Sequence, residues 1–82
     1  MIDYIYLIRL TQKRIPKFCE ECSKYEGVVD LGQIDRSDFV DAKSIMSVMT
    51  LDLSKTLWLQ YRTVDSESYA DFCKEMRQYS IQ

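Results

Sequence analysis

The chain has 82 residues, 46% of them apolar, with a formal charge of −2. A chain this short buries only ~60–65% of its unfolded surface, in one modest core. Its charge balance excludes a general nucleic-acid binder, which needs a strongly basic face, and no apolar run reaches the ~18 residues of a membrane-crossing helix.

Asp3 and Arg9 interrupt the N-terminal apolar stretch, and no small-residue cleavage site follows. The segment therefore does not read as a signal peptide, and the expected location is cytoplasmic. Ile2, Tyr4, Tyr6, Ile8 and Leu10 alternate with Ile5 and Leu7, which predicts a strand with one buried and one partly covered face. Thr11 to Pro16 turns the chain into a helix expected to run to about Tyr25, with Phe18, Cys19, Cys22 and Tyr25 as its apolar stripe. Gly27 stands where a C-terminal cap is expected. Arg9, Lys13, Arg14 and Lys17 gather around the helix start with no acid between Asp3 and Glu20. The cluster reads as a solvated charged face, or as a spot for an acidic partner.

Cys19 and Cys22 form a C-x-x-C. Redox motifs of this kind sit at helix starts where the thiol is acidified. Here the pair falls mid-helix on the apolar stripe and brackets Glu20 and Glu21. Zinc sites need a second such pair or histidines, and the chain has no histidine. Buried core thiols are the expectation, with no metal and no cofactor.

Val28 to Ile34 reads as a second strand and Phe39 to Ala42 as a third, joined through the turn-forming Asp35-Arg36-Ser37-Asp38. Ser44 is placed to cap a short amphipathic helix ending at Met49 or Leu51. Ile45, Met46 and Met49 share one of its faces, and Val48 and Leu51 the other. Leu57 to Thr63 alternates as a fourth strand, Leu57, Leu59 and Tyr61 opposite Trp58, Gln60 and Arg62. Asp65 or Ser66 caps a last helix with the stripe Tyr69, Phe72, Cys73, Met76 and Tyr79. The order β-α-β-β-α-β-α in one domain, residues 1–82, implies an α+β fold. It is expected to be a two-layer open-faced sandwich, a four-stranded antiparallel sheet with three helices on one face. Tyr4, Tyr6, Trp58 and Tyr61 are candidates for aromatic surface, so a monomer or weak dimer is expected.

Ala42-Lys43-Ser44-Ile45-Met46 and Met49-Thr50-Leu51 resemble the regulatory-serine helix of the histidine-containing phosphocarrier (HPr) family of the bacterial sugar phosphotransferase system. They are closest in flavour to its catabolite-repression homologue (Crh) branch, which has also lost the active histidine. The element order is that of the HPr fold. In phosphocarriers the first helix opens on a Leu-His-Ala-Arg-Pro motif, and Leu10-Thr11-Gln12-Lys13-Arg14-Ile15-Pro16 stands there instead. Thr11 or Gln12 takes the histidine's place, and Lys13 or Arg14 that of the arginine beside it. Asp52 and Thr56 depart from glycines common in the family.

What the resemblance implies is a non-enzymatic regulatory protein. Ser44 would be its phosphorylation site and Ile45, Met46 and Met49 its docking face. Its partners would be proteins, namely an HPr kinase/phosphorylase and a transcriptional regulator, with neither nucleic acid nor membrane involved. The alternatives are a phosphoryl carrier using another residue, or a degenerate HPr-like binding domain with an unrelated partner. Capping alone also accounts for Ser44, and core filling for the methionines.

Overall fold

The computed structural model describes residues 2–80, and for residues 2 to 4 the backbone alone. The elements are β1 (Ile2–Ile8), a 3-10 turn (Gln12–Arg14), α1 (Ile15–Ser23), β2 (Val28–Gln33), β3 (Phe39–Asp41), α2 (Ile45–Val48), β4 (Leu57–Thr63), α3 (Ser66–Met76) and a closing 3-10 turn (Arg77–Tyr79). The strands form one antiparallel sheet in the order β1-β4-β2-β3. The expected α+β open-faced sandwich is the architecture found.

The period-two patterns decide which sheet face meets the helices. Leu57, Leu59, Tyr61 and Thr63 of β4 point inward and are buried, as are Val29, Leu31 and Gln33 of β2 and Ile8 of β1. Above them lie Ile15, Phe18, Cys19 and Cys22 of α1 and Phe72 and Met76 of α3. Phe72 stacks on Tyr61 with ring centroids 4.2 Å apart and meets the edge of Tyr25 at 5.3 Å. Phe18 packs edge-on against Tyr79 at 5.1 Å. Such aromatic pairs contribute about 0.5–1.5 kcal/mol each beyond their area burial. The aromatic-surface expectation is corrected at Tyr61, which is fully buried, because β4 is a central strand and its odd positions face the helices. Tyr6 and Trp58 are half-buried, and the side chain of Tyr4 lies outside the described residues.

The opposite sheet face has no helix over it among the described residues. The register aligns Leu7, Trp58, Gly32 and Phe39 in one row across all four strands.

Helix α1 ends earlier than its stripe implies. Ser23 Oγ donates to the Cys19 carbonyl (2.8 Å), and the Lys24 and Tyr25 amides close tight turns onto Glu21 and Cys22. Gly27 is therefore not the helix cap. It lies beyond the end of α1 with φ of +116°, where a Cβ would collide with the Arg62 carbonyl oxygen of β4. Its role is to let β2 begin against the central strand. The carbonyls of this loop are held in sequence. Lys43 Nζ donates to those of Tyr25 (2.8 Å) and Gly27 (3.0 Å), and the Tyr61 hydroxyl to that of Glu26 (2.6 Å). These bonds answer the need of backbone acceptors near a helix C-terminus for partners.

The remaining departures are local. β1 ends at Ile8, before the buried Leu10, because the chain turns there to enter the 3-10 segment. Asp52 needs no glycine-like conformation, since no described non-glycine residue has positive φ. Its carboxylate accepts from the Ser54 amide (3.0 Å) and hydroxyl (2.6 Å), building the turn itself.

Candidate protein-docking site

Ser44 is the N-cap of α2. It has extended backbone (φ −104°, ψ 112°), and its Oγ accepts the Ser47 amide at 3.4 Å. That bond is long for its type, so the cap contributes toward the low end of the usual ~0.5–2 kcal/mol. Helix α2 spans four residues, Ile45–Val48, shorter than its sequence pattern implies. Met49 closes it, its amide returning to the Ile45 carbonyl, and the Thr50 hydroxyl takes the Ser47 carbonyl at 2.6 Å. A macrodipole hardly develops over one turn, so first-turn backbone N–H groups are what an anion on Ser44 would meet.

Val48 is fully buried and fastens α2 to the core, with Leu51 half-buried beside it. Ile45, Met46 and Met49 point to solvent, Met46 at 83% and Met49 at 55% exposure. The structure thus brings Ser44, Ile45, Met46 and Met49 together on one surface. Lys43, next to the serine, is turned away to the Tyr25 and Gly27 carbonyls, and Asp41 Oδ1 accepts the Lys43 amide (2.9 Å).

The second candidate locus, Thr11, Gln12, Lys13 and Arg14, forms the turn leading into α1. Thr11, Gln12 and Lys13 are exposed, and Thr11 makes no side-chain cap. Arg14 is occupied: its guanidinium lies 4.2 Å above the Tyr79 ring and donates to Gln78 Oε1 at 3.0 Å. Both partners come from the C-terminal 3-10 turn. Arg14 is thereby drawn into tertiary structure, while Arg9, Lys13 and Lys17 remain exposed.

Behind Arg14 lies a network that the sequence reading missed. Glu21 is only 4% exposed; Tyr79 OH donates to its Oε1 at 2.7 Å and Gln78 Nε2 to its Oε2 at 3.3 Å. Burial alone disfavours the carboxylate. Hydrogen bonds from Glu75, Tyr79 and Gln78 and the Lys17 ammonium outweigh it and hold Glu21 below the usual range. Glu75 is raised, chiefly because its proton is held against Glu21. Burial first, then the bond to Glu21, raises the Tyr79 hydroxyl.

The signs oppose one another. The contribution of Glu21 is present above the ordinary carboxylate pKa and is lost as pH falls through its lowered value. That of Glu75 is present below the ordinary pKa and is lost as pH rises through its raised value. The pair is expected to stabilise the fold most near ~4.3, the ordinary glutamate value. Urea midpoints across roughly pH 3–7 check this, as wild type minus Glu21→Gln should peak there. A flat difference would remove the network from the pH response.

Cys19 and Cys22 are buried, as expected of core thiols, and burial first, then Cys19 and Glu21, pushes the Cys22 thiol up. No group of metal-binding side chains occurs among the described residues. Nor is any helix among them long and apolar enough to cross a membrane.

No family model and no curated protein matches the chain. Among solved structures, a phosphocarrier protein HPr from Bacillus anthracis str. Ames is similar in fold. It covers 98% of this chain and 96% of its own at a TM-score of 0.67, with 16% sequence identity. At that identity the likeness establishes the fold, which is HPr-like.

Proposed function

We propose that this protein is a non-catalytic docking module on an HPr-like scaffold, read by protein partners through Ile45, Met46 and Met49 and switched by phosphorylation of Ser44. The observation that carries the reading is an exposed apolar triad beside a weakly bonded capping serine, on a helix anchored by Val48. Methionine side chains adapt to differently shaped partners, which suits a surface read by more than one protein. A phosphate on Ser44 would gain first-turn N–H groups in exchange for a 3.4 Å bond. Because Lys43 is committed elsewhere and Asp41 is near, that charge would stay unneutralised at the rim of the triad.

The carrier alternative has less support. The chain has no histidine, and the arginine at the corresponding turn is committed to Tyr79 and Gln78.

The test is incubation with an HPr kinase/phosphorylase and ATP. One phosphate is expected on wild type and none on Ser44→Ala; an unmodified wild type, or a modified Ser44→Ala, sinks the switch. The double change Met46→Asp and Met49→Asp is expected to raise KM for the same kinase about tenfold, ~1.4 kcal/mol. It should leave stability within about 0.5 kcal/mol, both sites being exposed. An unchanged KM would dissociate the triad from docking.

A further inference from the structure

The sheet face turned away from α1 and α3 is apolar along one row. Leu7, Trp58, Gly32 and Phe39 align across the four strands. Leu7 and Phe39 are exposed and Trp58 is half-buried. The Phe39 ring leans over Gly32, with atoms 3.1–3.2 Å from where a Cβ would stand, so the glycine opens no gap in the row. Ile5, 57% exposed, widens the patch beside Leu7. A contiguous apolar patch rimmed by polar residues marks an interaction surface.

The neighbouring row carries the charge. It runs Ile5, Gln60, Asp30, Asp41, which sets two carboxylates directly opposite each other on β2 and β3. Like charges so placed destabilise a strand pair. No cation among the described residues answers them, since the ion pair found there joins Lys55 to Asp35. Lys43 Nζ is bonded to the Tyr25 and Gly27 carbonyls instead. Arg62 stands one pair further along β4, opposite Val28. Asp41 Oδ1 accepts the Lys43 amide, and its second oxygen has no such bond.

We propose that this face docks a basic amphipathic helix of a partner protein. The helix lays its apolar stripe over Leu7, Trp58 and Phe39 and brings a lysine or arginine on its flank to Asp30 and Asp41. The backbone groups of β4 and β2 are spent in ladders on both sides, so recognition here is by side chains, which a helical stripe supplies and an added strand does not. The row crosses three strand spacings, about 14 Å, the length of roughly ten helical residues. The incoming cation relieves the repulsion that Asp30 and Asp41 carry in the free protein. The same carboxylates repel phosphate, so the aromatic row does not suit a nucleic acid. A second copy fits no better. Its exposed apolar helix, α2, spans only four residues, and the adjoining Lys43 is committed elsewhere. Because α2 is fastened to the core on the other side of the sheet by Val48, the inference stands independently of the role of Ser44.

Calorimetric titration and amide chemical-shift mapping test it with an 18-residue synthetic helix of leucine on one face and lysine on the other. Saturable one-to-one binding is expected, with shifts at Leu7, Trp58, Gly32 and Phe39 and none at Ile45 or Met46. Added salt should weaken it. The double change Asp30→Asn and Asp41→Asn keeps both shapes and the acceptor for the Lys43 amide. It should raise the Kd about tenfold without lowering the urea midpoint. A leucine and glutamate helix of the same pattern should not bind. Absence of binding overturns the proposal, as do equal affinity for the glutamate helix, an unchanged Kd in the double variant, or shifts confined to α2. Shifts of the sheet residues that grow with protein concentration alone also overturn it, assigning the face to a second copy.

Discussion

Gly27→Ala is expected to cost about 3 kcal/mol or more of unfolding free energy. Two penalties coincide at this position. The backbone φ of +116° lies outside the regions that L-residues tolerate, at a cost of roughly 1–3 kcal/mol. In addition the new methyl would run into the Arg62 carbonyl oxygen, part of the central strand, which has little room to retreat. Moving either chain also disturbs the bonds from Lys43 and Tyr61 to the carbonyls around Gly27. Domains of this size hold only about 0.05–0.15 kcal/mol per residue in total, so the loss is a large share of it. Urea denaturation checks the effect as a lower midpoint at unchanged slope. Gly32→Ala is the contrast. Its Cβ would approach the Asp38 carbonyl at 3.1 Å and the movable Phe39 ring at 3.1–3.2 Å without a positive φ, and a smaller loss is expected. Equal losses would mean that the clash with β4 is not what singles out Gly27.

Phe72→Ala is expected to cost about 3–5 kcal/mol, the range for deleting a buried aromatic ring. Phe72 is the residue of α3 that enters the aromatic cluster, against Tyr61 at 4.2 Å and Tyr25 at 5.3 Å. Its loss leaves a void between α3 and the sheet that neither partner fills, because the Tyr61 hydroxyl is tied to Glu26 and that of Tyr25 to the Asp71 carbonyl. At roughly 4–8 °C per kcal/mol for a domain of this size, the melting temperature should fall by more than about 10 °C. Tyr61→Phe, which keeps the ring and removes the bond to Glu26, should cost only about 1 kcal/mol. If the two changes cost the same, the cluster is held by its polar ends rather than by packing.

Much of this architecture is legible in residue spacing. Strict alternation from Leu57 to Thr63 marks β4 and assigns each side chain to its face, because period two allows no ambiguity once one face is apolar. Asp65 and Ser44 are recognisable as caps by type and position. The lengths of α1 and α2 are not, since both are cut short by side-chain bonds and tight turns that periodicity does not contain. The partners of Glu21 are less visible still. A glutamate beside another reads as solvent-facing, and those partners, Gln78 and Tyr79, stand 57 and 58 residues away. Of the candidate site, the exposed triad follows from its helical spacing. The diversion of Lys43 and the capture of Arg14 depend on tertiary contacts that no local pattern announces.

The row of Leu7, Trp58, Gly32 and Phe39 has a spectroscopic consequence. Trp58 is the sole indole of the chain, half-buried on the side of the sheet opposite the helices. Its emission therefore reports on the bare face, and a ligand settling on α2 would leave it nearly silent. Quenching or a blue shift on titration would show that something has reached the far side of the molecule. A single cuvette measurement, without any label, thus separates events on the two faces.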